Sequence, residues 1–147
     1  MKNKKEYSET SQLNLRSLVI FSRASQTVHR QEVQTIRASG LTVSQFGVLE
    51  ALYHKGPLRI SVVMEKILST GGNMTVVINN LLKNGLIAKY SDPQDSRANI
   101  VELTPAGKGM MEKYFPDHVK NIDGIFSVLS EEEKKEMIRL LKKLARV

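Results

Sequence analysis

Residues 69–103 constrain this chain more than any other stretch. They read STGGNMTVVINNLLKNGLIAKY and then SDPQDSRANIVEL. Met74, Val77, Ile78, Leu81 and Leu82 recur at helical spacing and form one apolar face. Thr70, Asn73, Thr75, Asn79 and Asn80 form a small, polar opposite face, and Gly85 ends the helix. Residues 86–90 and 99–103 then alternate in polarity, as the two arms of a β-hairpin do. Between them lies a polar tip, Asp92-Pro93-Gln94-Asp95-Ser96-Arg97.

A short helix leading into a long-tipped hairpin is the layout of a winged helix-turn-helix. Its helix suits a major groove and its tip the adjoining minor groove. The residues before it fit that layout. Thr42-Val43-Ser44-Gln45 is a capping box, with Leu41 and Phe46 as a hydrophobic staple across it. The helix it opens runs to Lys55, where Gly56-Pro57 closes it. Leu58-Arg59-Ile60 reads as a short strand, and Ser61 caps a short helix over 62–68. Gly71 and Gly72 then let the backbone come close to a partner and point N–H groups outward, as a phosphate requires; a plain flexible turn is the simpler account.

Long amphipathic helices flank this module. Residues 11–38 carry a drifting inner face of Leu15, Leu18, Val19, Phe21, Ser22, Ser25, Val28, Glu32 and Ile36. Arg16, Arg23, Arg30 and Arg37 recur every seven residues on one stripe, either a solvated face or a seam against a partner. Thr104-Pro105 opens a helix with Met110, Met111, Tyr114 and Phe115, which Pro116 must kink or end. Helical character resumes through Val119, Ile122, Ile125 and Phe126. Ser130-Glu131-Glu132-Glu133 is a second capping box, and Met137, Leu140, Leu141 and Leu144 are the apolar stripe of the last helix. The expected fold is mainly α with a small β-hairpin wing. Residues 11–38 and 106–147 form a helical dimerisation region around a winged helix-turn-helix over 41–104.

Composition supports pairing. The 147 residues are 41% hydrophobic, yet there is no Trp and aromatics make up 5%; long helices so thin in large side chains often complete their core against a second copy, and pairing is expected here. The net charge of +7 suits a polyphosphate partner. That surplus lies in the N-terminal part and in the module, while residues 114–147 hold seven basic and six acidic side chains. Without cysteine, disulfides, thiolate metal sites and thiol redox sensing by this chain are excluded. The polar start lacks the apolar core of a signal peptide and no apolar run approaches a membrane span, which predicts a cytoplasmic location.

Catalytic patterns are missing. His29, His54 and His118 have no metal-ligand spacing, no HExxH or P-loop occurs, and Asp92 and Asp95 sit where solvent keeps both ionised. Neither enzyme activity nor a cofactor is expected.

The block from Leu41 to Gly107 resembles the MarR family of bacterial transcriptional regulators. Asp95-Ser96-Arg97 followed by Leu103-Thr104-Pro105-Ala106-Gly107 is similar to that family's D-x-R … L-T-x-x-G signature, and the resemblance extends over about residues 12–147. LYHKG, GGNMTVVINNLLKNGLI and FPDHVKNIDGIFSVLSEEEK look most like a Gram-positive branch that responds to quinones, hydroquinones and related aromatics. The resemblance implies a dimer that reads a pseudo-palindrome on double-stranded DNA. It implies a repressor of detoxification or stress genes, released by a small phenol- or quinone-like ligand. It places the ligand among Phe21, Ser25, Phe46, Leu49, Tyr53, Met110 and Phe115, residues that equally read as plain core.

The chain departs from the family in its recognition helix. Val76 stands where an arginine is common, and Asn79 and Asn80 where charged residues are. Major-groove reading then falls to Thr70, Asn73, Thr75 and Asn79, beside the Gly72 backbone, and an A·T-leaning operator is expected. Arg97 is expected to enter the minor groove, oriented by Asp95, with Arg59, Lys83 and Lys89 on phosphates. The alternative is a winged-helix module that binds protein and no longer reads bases.

Overall fold

The computed structural model describes residues 6–67 and 73–147. Ser8 accepts the Ser11 N–H and opens α1 (Glu9–Ala38), so this helix starts two residues before the expected Ser11. At 30 residues it is about 45 Å long. The Thr42 capping box forms as expected: Gln45 N–H donates to Thr42 Oγ1 at 3.1 Å, and Thr42 N–H donates to Gln45 Oε1 at 3.0 Å. It opens α2 (Val43–Lys55), which Gly56 closes at φ 76°. Next come β1 (Leu58–Arg59), α3 (Ile60–Ile67) and α4 (Met74–Lys83). Ile60 belongs to α3, so the strand is one residue shorter than expected and the helix begins before Ser61.

The wing consists of β2 (Ile87–Asp92) and β3 (Asp95–Leu103). With β1 they form an antiparallel sheet in the order β1-β3-β2, Ile87 pairing with Leu103 and Tyr90 with Ile100. Both arms run further than the expected 86–90 and 99–103. Asp92 pairs with Asp95, a register shift follows Ser91, and only Pro93 and Gln94 make the turn. The Asp/Pro/Ser composition of the tip reads as loop, yet β-pairing continues through it.

After the sheet come α5 (Pro105–Phe126) and α6 (Glu131–Ala145). Helix α5 runs through Pro116 as one element. Pro116 lacks a donor for the Glu112 carbonyl, but both residues are exposed, so water can satisfy that group. The Ser130 capping box is complete at both bonds.

The core centres on α2. Phe46, Val48, Leu49 and Leu52 meet Val63 from α3, Leu81 from α4, Val101 from β3 and Met111 from α5, and all are buried. The C-terminal half of α1 docks on α5 through a polar cluster. His118 Nδ1 lies 3.0 Å from Thr35 Oγ1, and Asn121 Nδ2 donates to the Gln31 carbonyl at 2.8 Å. Toward its N-terminus α1 changes character. Leu13, Leu15, Leu18, Val19, Ile20 and Phe21 are all exposed, and Ile36 is the helix's one buried residue. Helix α6 buries none. Among the described residues, no helix is long and apolar enough to cross a membrane.

Candidate nucleic-acid interface

Helix α4 divides as its periodicity predicts. Met74, Val77, Ile78 and Leu81 are buried, while Thr75, Val76, Asn79, Asn80 and Lys83 are exposed. Its outward face therefore presents short polar side chains, one valine and a terminal lysine. Thr70 and Gly72, expected to share this face, lie outside the described residues. Asn73 has a structural task as well as the expected one. It is the N-cap of α4, and its Oδ1 accepts the Thr75 and Val76 N–H groups at 3.1 and 3.4 Å. Bidentate pairing with adenine needs that same oxygen, so Asn73 can read a base from Nδ2 alone while the cap stands.

In the wing, the Arg97 side chain is 93% exposed. Asp95 Oδ1 accepts the Arg97 backbone N–H at 3.0 Å and lies 3.6 Å from Arg97 Nε. Lys89 on β2 is exposed as well.

Arg59 has a partner that local pattern did not reveal. Its Nε and Nη2 both reach Asp92 Oδ2 at 2.6 Å, and Asp92 Oδ1 accepts the Gln94 N–H at 2.9 Å. The expected phosphate role for Arg59 thus competes with an ion pair already formed. Asp92 is also not the solvated loop acid that composition suggested, being buried at the end of β2. The Gln94 N–H and then the Arg59 guanidinium hold its carboxyl below the ordinary value, against the opposing effect of burial. It is ionised because it is bonded, rather than because water reaches it.

The signature after the wing is a clamp. Thr104 Oγ1 donates to the Gly85 carbonyl at 2.6 Å and accepts the Gly107 N–H at 3.1 Å, while Thr104 N–H donates to the Leu86 carbonyl at 3.1 Å. A Cβ on Gly107 would lie 2.1 Å from the Leu86 oxygen, so only glycine fits. This ties the base of the wing, the end of α4 and the start of α5 together.

The expected ligand residues are spread over α1, α2 and α5. Phe46 and Leu49 are buried in the core of the module. Phe21 and Ser25 are exposed on α1, Met110 is half-buried, and Tyr53 and Phe115 sit with ring centroids 6.0 Å apart. Phe115 also meets His54 at 4.9 Å. A cleft of about 340 Å³ opens elsewhere, between α1, α2 and α3, lined by Ile36, Phe46, His54, Lys55 and Lys66 among others. Of the seven expected residues it includes Phe46 alone.

The profile of the MarR family matches residues 39–98. The HTH-type transcriptional regulator MhqR of Bacillus subtilis is 34% identical over 131 residues, spanning 89% of this chain and 90% of that one. A solved structure bearing on regulation of DNA binding of Bordetella bronchiseptica BpsR by 6-hydroxynicotinic acid is 30% identical, with a TM-score of 0.72 over 88% of this chain and 98% of that one. A MarR family transcriptional regulator from Streptomyces coelicolor, solved in complex with DNA, shares the fold. Its TM-score is 0.78 at 20% identity, over 99% of this chain and 91% of that one. These proteins are transcriptional regulators rather than enzymes. A capped helix with a polar outer face, a wing that projects an arginine, and a Thr-Gly clamp beneath them thus coincide with similarity along most of the sequence: the chain belongs to the MarR family of winged helix-turn-helix transcriptional regulators.

Proposed function

We propose that this regulator is a homodimeric repressor, released from a pseudo-palindromic operator by a small phenol- or quinone-like compound. One observation carries the dimer. The N-terminal half of α1 and all of α6 leave Leu13, Leu15, Leu18, Ile20, Phe21, Ile138, Leu140, Leu141 and Leu144 open to water. A second copy, supplying the same faces by twofold symmetry, covers them. Residues 11–38 and 106–147 then pair, and residues 41–104 carry one reader on each side. Each reader sets Thr75, Asn79 and the free amide of Asn73 against base edges, and Arg97 in the adjoining minor groove. Lys83 and Lys89 meet phosphates, and Thr70 and Gly72, outside the described residues, are further DNA contacts of the proposal. Work on DNA places the protein in the cytoplasm.

The ligand reading rests on the resemblance to a quinone-responsive branch and on BpsR, whose DNA binding a hydroxylated aromatic acid regulates. In this chain the proposed site is the junction of α1, α2 and α5 in the dimer, with Phe21, Ser25, Phe46, Leu49, Tyr53, Met110 and Phe115 as its lining. Selection of bound fragments from random DNA tests the reading. A twofold site rich in A·T supports it, and recovery of no preferred sequence favours the protein-binding alternative. Phenols and quinones that bind the fold raise its melting temperature by mass action; a panel with no shift contradicts the ligand role.

A further inference from the structure

The reading of DNA by the wing leaves one question open: what sets the angle at which Arg97 is held out. A two-stranded ribbon twists and bends readily about its base. Here it does not stand alone, because β1 lies beside β3 on the far side from β2. Arg59 pairs with Ile100, and Asp92 closes the ladder two residues nearer the turn than Tyr90, the other partner of Ile100. The Arg59 side chain therefore crosses the middle strand to reach the outer one. Ala98, two residues from Ile100 toward the turn on β3, carries only a methyl group.

We infer that Arg59 and Asp92 form a clasp across the sheet that fixes the wing tip for DNA binding, so that both are positioning residues for Arg97. The contact is forked at one carboxylate oxygen, and the other oxygen holds the Gln94 N–H inside the turn. One acid thus joins the turn to the first strand of the sheet, 33 residues earlier in the chain. Arg97 begins only five residues after Asp92, beyond the turn that this acid braces. An acid close to a polyanion weakens binding through charge alone. Asp92 stands there because geometry outweighs that repulsion.

This inference rests on the wing's being a DNA contact, and the test separates the two. The probe is the duplex recovered by selection with the wild-type protein, compared with a random duplex of equal length. Asp92→Asn, Arg59→Gln, the double variant and Arg97→Ala are measured at one salt concentration, each with its melting temperature. The expected result is a loss of about fivefold or more for Asp92→Asn on the selected duplex, although a negative charge has been removed. Arg59→Gln loses a similar factor, the double variant is no worse than either single one, and affinity for the random duplex barely changes. Arg59→Lys, which keeps the charge without the fork, behaves like Arg59→Gln and serves if Asp92→Asn does not fold. Equal or tighter binding by Asp92→Asn overturns the clasp. So do losses that multiply in the double variant, since Arg59 then acts on phosphate by itself. If Arg97→Ala also binds unchanged, the DNA reading of the wing has failed; if Arg97→Ala is weakened while Asp92→Asn is not, only the clasp has.

Discussion

The winged module and the terminal helices use apolar side chains in opposite ways. Within the module Val48, Leu49, Val63, Leu81 and Val101 are wholly buried, and its polar groups are committed to caps and clamps. In α6 every leucine remains open, and α1 is buried only near its C-terminal end. One chain thus holds a part that satisfies itself and a part that does not. Burial of a leucine gains roughly 1.5–3 kcal/mol, so leaving so many exposed is costly unless another surface covers them. On the proposed dimer the module supplies recognition, and the helices supply the spacing between two modules.

The most forceful way to break that comparison is to charge α6. Leu140→Lys with Leu141→Lys places four lysines in a dimer interface. At roughly 1.5–3 kcal/mol for each lost leucine, no dimer should persist at micromolar concentration, which sedimentation velocity reads directly. The module should keep its helical circular dichroism. Gly107→Ala strikes the other region. Its Cβ would meet the Leu86 carbonyl oxygen at 2.1 Å, and a backbone shift of this kind should cost about 3 kcal/mol in urea unfolding. Arg97→Ala should weaken operator binding by ~1–3 kcal/mol and leave the melting temperature nearly alone, because that side chain is 93% exposed and its pairing with Asp95 is solvated. Ser130→Ala removes one half of the α6 capping box and should cost about 1 kcal/mol, seen first as weaker dimerisation.

The smallest expected effect concerns pH. The folded Asp92 carboxyl titrates below its unfolded value, so its contribution is complete above the ordinary carboxylate range and is lost as pH falls through the depressed folded value. The stability gap between wild type and Asp92→Asn should therefore stay constant from about pH 8 to about pH 5 and close only in stronger acid. A gap that already closes near neutrality contradicts the bonded carboxylate.

Local chemistry was legible where partners lie within a few residues. Both capping boxes form the bonds their spacing predicts, Gly85 adopts φ 71° after α4, and the inner face of α4 is buried as its periodicity requires. Long-range pairing was not legible. Nothing near Arg59 marks Asp92 as its partner, because the sheet that brings them together is built from three separate segments. The wing strands were read short because Asp, Pro and Ser carry turn propensity whether or not a neighbouring strand extends the ladder. Phe46 and Leu49 fit a lining and a core equally well by spacing, and the packing of α2 against α1, α3, α4, α5 and β3 buries both. Asn73 was read for its base-pairing groups, although a residue just ahead of an apolar helical run is as readily its cap.

Molar mass by light scattering at micromolar concentration tests the central claim most directly. The account predicts a particle of twice 16.5 kDa, which Leu140→Lys with Leu141→Lys reduces to one chain. A wild-type protein that runs at 16.5 kDa would contradict it, since the open faces of α1 and α6 would then need no second copy.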